Sequence, residues 1–183
     1  NKCVLKDDWN ELAEKIAESD ALVVGSPTYY GNVSAFTKAF MERLYAFRHI
    51  NLLTRGKLAA SVGVGVAMEQ FVMEYLANVL RLDGMEYVGG LAVKGVPCCF
   101  ACGAGETCEF AVWNAYSVKM TGVDYHLEEA YKDNLTILPE NDPYVHGAAI
   151  IKKPIKPITE NQKVMYDAKK LGELIGQKLR ELK

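Results

Sequence analysis

Trp9, Leu12, Ala13, Ile16 and Ala17 recur at the three- and four-residue spacing of one helical face, which predicts a short amphipathic helix over residues 9–18. Asp8, Trp9, Asn10 and Glu11 have the form of a capping box, with Asp8 set to accept from the first-turn amides and Glu11 to reach back. Residues 21–26 are instead an unbroken apolar run, too short for an independent helix and typical of a strand covered on both faces, so they predict a central parallel strand. Val33, Phe36, Phe40, Leu44 and Phe47 then return to helical spacing, with Lys38, Glu42 and Arg43 elsewhere around the axis, which predicts a crossover helix over 33–49. A β-rich run at 57–64, a helix at 71–82 ended by Asp83 and Gly84, and a third apolar run at 87–93 follow. A last helix, 160–182, is capped by Thr159 and Gln162 and carries Val164, Ala168, Leu171, Ile175 and Leu179 on one side.

Strands and helices alternating at these lengths predict an α/β fold: a doubly wound parallel sheet with right-handed crossovers. The pattern is read as a single domain, 1–183, interrupted at 122–158 by mixed polar and aromatic sequence with Pro139, Pro143, Pro154 and Pro157. A lid, an oligomer contact and a plain excursion all fit that stretch.

Composition narrows the function classes. The formal charge of −2 comes from 21 basic and 23 acidic residues with no basic tract, so neither nucleic acid nor an anionic membrane surface is an expected partner. No apolar run approaches the roughly 18 residues of a membrane span, and the start lacks a secretory pattern, so the expected location is cytoplasmic. Of five cysteines, Cys98, Cys99, Cys102 and Cys108 fall within eleven residues, a crowding that points to metal, cluster or redox-active thiols rather than a disulfide scaffold.

Open parallel sheets bind ligands beyond the carboxyl ends of their strands. The first such loop carries Ser26, Pro27, Thr28, Tyr29, Tyr30, Gly31, Asn32, Val33 and Ser34 straight into a helix start. Its rings and amides suit a flat polar heterocycle, and it equally suits an ordinary strand-to-helix turn capped by Ser34. The second loop has Gly63 and Gly65, which either admit a ligand or simply loosen a strand end.

Lys2 to Asp8, Gly25 to Ala35, and Lys38 to Arg43 resemble the iron-sulfur flavoproteins and related NAD(P)H-dependent FMN reductases. The resemblance implies a flavodoxin-like domain holding FMN, with Ser26, Pro27, Thr28, Tyr29, Tyr30, Gly31, Asn32 and Ser34 against the flavin and Gly63 and Gly65 on its other border. Ala67, Met68, Glu69 and Gln70 depart from the glycine-rich ending of the family's second loop. The family also has a first strand, a phosphate-binding loop and a second strand ahead of the Lys2-Cys3-Val4 element, so the sequence is expected to be a piece of a longer chain or to omit an N-terminal region. Cys3 matches the last member of the family's motif for a four-iron (4Fe-4S) cluster. Cys99, Cys102 and Cys108 leave a second cluster, zinc, or redox-active and buried thiols all open, with Cys3 or another subunit as source of a fourth ligand.

The expected function is that of an FMN-dependent oxidoreductase or electron-transfer flavoprotein, moving electrons from a donor such as NAD(P)H to a small-molecule or protein acceptor. A homodimer or homotetramer is expected by family analogy. No acid or base is required of the protein, because the redox chemistry belongs to the flavin. A non-enzymatic electron carrier and a flavin-free thiol or metal sensor built on Cys98–Cys108 are the alternatives. His49, His126 and His146 form no triad, Trp113 and Tyr116 read as packing residues, and Lys152, Lys153 and Lys156 as a solvated face.

Overall fold

A computed structural model of the chain describes residues 3–49, 51–65, 68–94, 135–137, 149–151 and 158–182. The chain divides into two compact units, one of Asn1–Val64, Met68–Val93 and Gln162–Lys183, the other of Gly65–Ala67 and Lys94–Asn161. Cys98, Cys99, Cys102, Cys108, Trp113, Tyr116, His126, His146 and the three lysines at 152, 153 and 156 lie outside the described residues, as does most of the 122–158 excursion.

In the first unit α1 (Trp9–Glu18) leads to β1 (Ala21–Tyr29), which turns back as the two-residue β2 (Asn32–Val33) and enters α2 (Ala35–Arg43). A 3-10 segment, Leu44–Arg48, follows, then β3 (Leu58–Gly65), α3 (Glu69–Leu82) and β4 (Glu86–Lys94). The sheet order is β2-β1-β3-β4. β1 and β3 run parallel, from Ala21 opposite Leu58 to Pro27 opposite Val64. The C-terminal helix α4 (Gln162–Glu181) reaches β4, where Lys178 Nζ pairs with Glu86 at 2.7 Å and a Cβ on Gly89 would lie 3.2 Å from Leu171. In the second unit β5 (Leu135–Ile137) and β6 (Ala149–Ile151) pair antiparallel, Thr136 opposite Ile150.

The core explains why these segments form these elements. Trp9 and Ile16 of α1, Val24 of β1, Met41 of α2, Leu44 and Phe47 of the 3-10 segment, Ala59 of β3, and Val72, Leu76 and Leu80 of α3 make one buried cluster. α1 and α3 bury much of the face that their spacing predicts, whereas α2 buries Met41 and leaves the predicted Phe36 exposed. Trp9 anchors the cluster, edge-on to Phe40 at 5.9 Å. The end of α3 is tied down where the Arg48 guanidinium donates to the Leu82 carbonyl at 2.6 Å and Thr54 Oγ1 to the Asp83 carbonyl at 2.6 Å.

Three local expectations are corrected. Asp8 stands at the N-cap of α1 in a helical conformation with no side-chain capping bond, and Glu11 pairs with Lys15 at 2.6 Å; Asp7 Oδ1 takes the Trp9 N–H instead, at 3.1 Å. Of the stretch read as one helix over 33–49, Val33 pairs in β2, α2 starts at Ala35 and buries Met41, and Leu44–Arg48 tightens to a 3-10 segment that buries Leu44 and Phe47. The strand read as 21–26 and as covered on both faces runs on to Tyr29 through Pro27 and is covered on one face, with Val24 and Ser26 buried and Val23 more than half exposed. The Leu58 N–H donates to the Asp20 carbonyl at 3.0 Å, which turns the even positions of β1 toward β3 and the odd ones away. The missing N–H of Pro27 therefore faces off the parallel ladder, where proline is tolerated.

Candidate functional site

The loops that follow β1 and β3 meet the carboxyl edge of two adjacent parallel strands. Thr28 pairs with Val33 and Tyr29 with Asn32, which leaves Tyr30 and Gly31 as a two-residue hairpin turn. Both have positive φ, 48° and 72°, the pattern of a type I′ turn. Glycine is at ease there, whereas tyrosine is held in a left-handed conformation that costs about 1–2 kcal/mol. The ring so displayed is fully exposed, with Tyr29 beside it more than half exposed and Phe36, on the first turn of α2, nearly bare.

After β3 the same thing happens again. Met68, immediately before α3, has φ 64°, no side-chain capping bond, and a side chain about half exposed. Two non-glycine residues are left-handed among the described residues, and both sit on loops leaving neighbouring parallel strands at one end of the sheet. Strain of this kind persists where the surrounding fold enforces it, and it gathers at binding sites.

The hydroxyls of the loop divide into engaged and free. Ser34 caps α2: its Oγ accepts from the Thr37 N–H at 3.2 Å and lies 2.9 Å from Thr37 Oγ1. Ser26 is 2% exposed; its Oγ donates to the Pro27 carbonyl at 2.8 Å and accepts the Ser34 N–H at 3.0 Å. Asn32 Oδ1 takes the Val33 N–H at 2.8 Å. Thr28 Oγ1 is buried with no hydrogen-bond partner. A flat ligand would cover the exposed rings of Tyr29, Tyr30 and Phe36, so the loop fits an FMN isoalloxazine. Gly63 is a different case. A Cβ there would collide with the Glu69 carbonyl and come within 2.9 Å of Met73 N, so the close approach that this glycine permits is that of α3. Gly65 ends β3 half-buried.

A second cluster surrounds Cys3, the residue that the resemblance marks as a cluster ligand. Arg43 at the end of α2 holds both carboxylate oxygens of Asp7, Oδ1 at 2.8 Å, and donates from Nη2 to Cys3 Sγ at 3.2 Å. Its guanidinium lies 5.0 Å over the Trp9 ring, and its buried Nε has no partner. The free, half-buried Cys3 thiol opens on a cleft of about 400 Å³ shared with Leu5, Tyr45 and His49. A thiol receiving an N–H at sulfur suits one ligand of an iron-sulfur cluster. The described residues contain no group of three or more His, Cys, Asp or Glu that could hold a metal, so by themselves they do not complete such a site.

The Arg43 side chain, helped by the Trp9 N–H, holds the Asp7 carboxyl below its ordinary value. A depressed carboxylate contributes stability that is present above the ordinary value of 3.8 and is lost as pH falls through the lowered one. In a Trp113→Phe background, Trp9 fluorescence should stay constant down to that value and step below it; Asp7→Asn should abolish the step.

A mostly parallel sheet carrying crossover helices and a ligand-shaped loop at its carboxyl edge is a flavodoxin-like α/β domain. The chain belongs to the NADPH-dependent FMN reductase family, whose model matches residues 1–95. An iron-sulfur flavoprotein of Archaeoglobus fulgidus is 39% identical over 97 residues, covering 52% of this chain and 44% of that one. Iron-sulfur flavoproteins of Methanocaldococcus jannaschii and Methanosarcina thermophila are 33% and 30% identical, covering 48% of this chain and 47% of theirs. The chain thus spans about half the length of the relatives it matches. Among solved structures, the Trp repressor binding protein of Bacillus subtilis aligns with TM-score 0.44 and 19% identity over 50% of this chain and 61% of that one. RosB with bound 8-demethyl-8-formylriboflavin-5'-phosphate aligns with TM-score 0.41 and 19% identity over 84% and 73%. Among the described residues no helix is long and apolar enough to cross a membrane.

Proposed function

We propose that this chain forms the β1 and β3 sides of an FMN site in an oxidoreductase that takes electrons from NAD(P)H and passes them to an iron-sulfur cluster, a quinone or another acceptor. The observation that carries this reading is the pair of strained, displayed side chains, Tyr30 and Met68, at the carboxyl ends of adjacent parallel strands. Bound FMN supplies the hydride and one-electron chemistry. The protein's part is placement. Tyr29 and Tyr30 offer ring faces for stacking, and the Gly31 amide, at the tip of the turn, can donate to a ring oxygen. Cys3, steadied by Arg43, is one ligand of the cluster.

The test is the ultraviolet-visible spectrum of the anaerobically purified natural protein, with iron and acid-labile sulfide measured in the same sample. Flavin bands with a broad iron-sulfur shoulder and matching iron are expected. Flavin bands without iron would leave the flavin reading intact and remove the cluster; the absence of both, after FMN is added, would overturn the proposal.

A further inference from the structure

The β1–β2 hairpin makes two cross-strand pairs and stops, and the residue that stops it is Ser26. Counting back from Tyr29 opposite Asn32 and Thr28 opposite Val33, the next pair on the ladder is Pro27 opposite Ser34. In an antiparallel hairpin that pair would exchange both of its backbone hydrogen bonds. Pro27 has no N–H to donate. The Ser34 N–H, which an unbroken ladder would point at the Pro27 carbonyl, goes to Ser26 Oγ at 3.0 Å, and the same oxygen donates to the Pro27 carbonyl at 2.8 Å. One hydroxyl thus stands between two backbone groups that a plain hairpin would join directly. A serine has a single O–H to give, and it is spent on Pro27; the side chain is 2% exposed.

We propose that Ser26 is a positioning residue of the cofactor site, a wedge that ends the hairpin after Thr28, turns the chain into α2, and thereby fixes where Tyr29, Tyr30 and Gly31 stand, without touching the ligand. This rests on the FMN reading above, and it assigns Ser26 a different task from the flavin contact that family resemblance implies. The two serines of the loop divide the work: Ser34 caps its own helix through Thr37, while Ser26 joins the strand end to the helix start. With the wedge gone, the Ser34 N–H loses its acceptor and the Pro27 carbonyl its donor, and the turn is no longer held in place. A turn that is correctly placed only a fraction of the time weakens binding by that fraction.

The experiment uses the natural full-length protein with FMN as the probe. Ser26→Ala should raise the FMN dissociation constant about tenfold, mainly through slower association, as the competent fraction of the loop falls about tenfold. The absorption bands and reduction potential of the flavin that does bind should match wild type, and Ser26→Thr, which keeps the hydroxyl, should restore affinity. The same Ser26→Ala exchange should remove hydrogen-exchange protection from the Ser34 amide, a readout that needs no cofactor. A shifted potential or altered flavin bands would make Ser26 a direct contact and overturn the proposal, as would an unchanged dissociation constant. If the wild type takes up no FMN, the reading beneath this one fails; Ser34 exchange then decides the wedge alone, and unchanged protection in Ser26→Ala would refute it.

Discussion

Gly63→Ala should destabilise the fold by about 3 kcal/mol and lower the thermal midpoint by roughly 10 °C, as followed by circular dichroism. The new methyl would meet main-chain atoms of α3, the Glu69 carbonyl and the Met73 nitrogen, neither of which can rotate out of the way as a side chain would. Either α3 moves off the sheet, taking Val72, Leu76 and Leu80 from the core, or β3 bends. Gly172→Ala in α4 is the control. A Cβ there meets nothing within 4 Å, so the exchange should raise stability by about 0.5–1 kcal/mol through helix propensity alone. A midpoint within 2 °C of wild type in Gly63→Ala would mean that α3 does not pack against β3 as described.

The second large effect should come from the hairpin turn, where stability and ligand retention are expected to separate. Gly31→Val has open space for its side chain, so its cost is conformational, about 1–2 kcal/mol for a β-branched residue at φ 72°. Forcing that turn to reshape should reduce FMN retention tenfold or more. Tyr30→Asn does the opposite to stability: asparagine tolerates the left-handed region and suits the first position of a type I′ turn, so the midpoint should rise with about 1 kcal/mol of relief. It also removes the displayed ring, and FMN affinity should fall about tenfold. Measuring thermal midpoint and FMN dissociation constant on both variants checks the pair. A Tyr30→Asn protein that is more stable and binds FMN as well as wild type would show that the strain serves something other than this ligand.

Much of this fold could be read from spacing alone, because a helix repeats its apolar residues every three to four positions and a short apolar run between turns does not. The helix at residues 9–18 is found where Trp9, Ile16 and their neighbours place it, and the strand at 57–64 coincides almost fully with β3. What the spacing misses is tertiary. A 3-10 segment and an α-helix differ little over one turn, so Leu44 to Arg48 reads as a continuation of α2. The strand continues past Pro27 because the direction of its missing N–H, which no local rule supplies, happens to be harmless. Asp7 displaces Asp8 as the acceptor at the start of α1 because Arg43, 36 residues away, fixes it there. At the site, the Ser26–Ser34 loop is visible in composition, yet which hydroxyls are spent within it and which is left over depends on hydrogen bonds only the folded chain shows. Met68 is the plainest omission: a methionine in left-handed backbone has no signature in the sequence except that glycine would be easier there.

The Arg43 clamp has a consequence for timing. Its bonds to Asp7 and Cys3 span 36 and 40 residues, so they cannot close until α2 has formed and docked. The segment from Cys3 to Asp8 is therefore joined to the end of α2 by contacts distant in sequence, through one guanidinium. During synthesis the Cys3 thiol can gain its Arg43 donor only after residue 43 has left the ribosome, so shelter of that sulfur and completion of α2 come together.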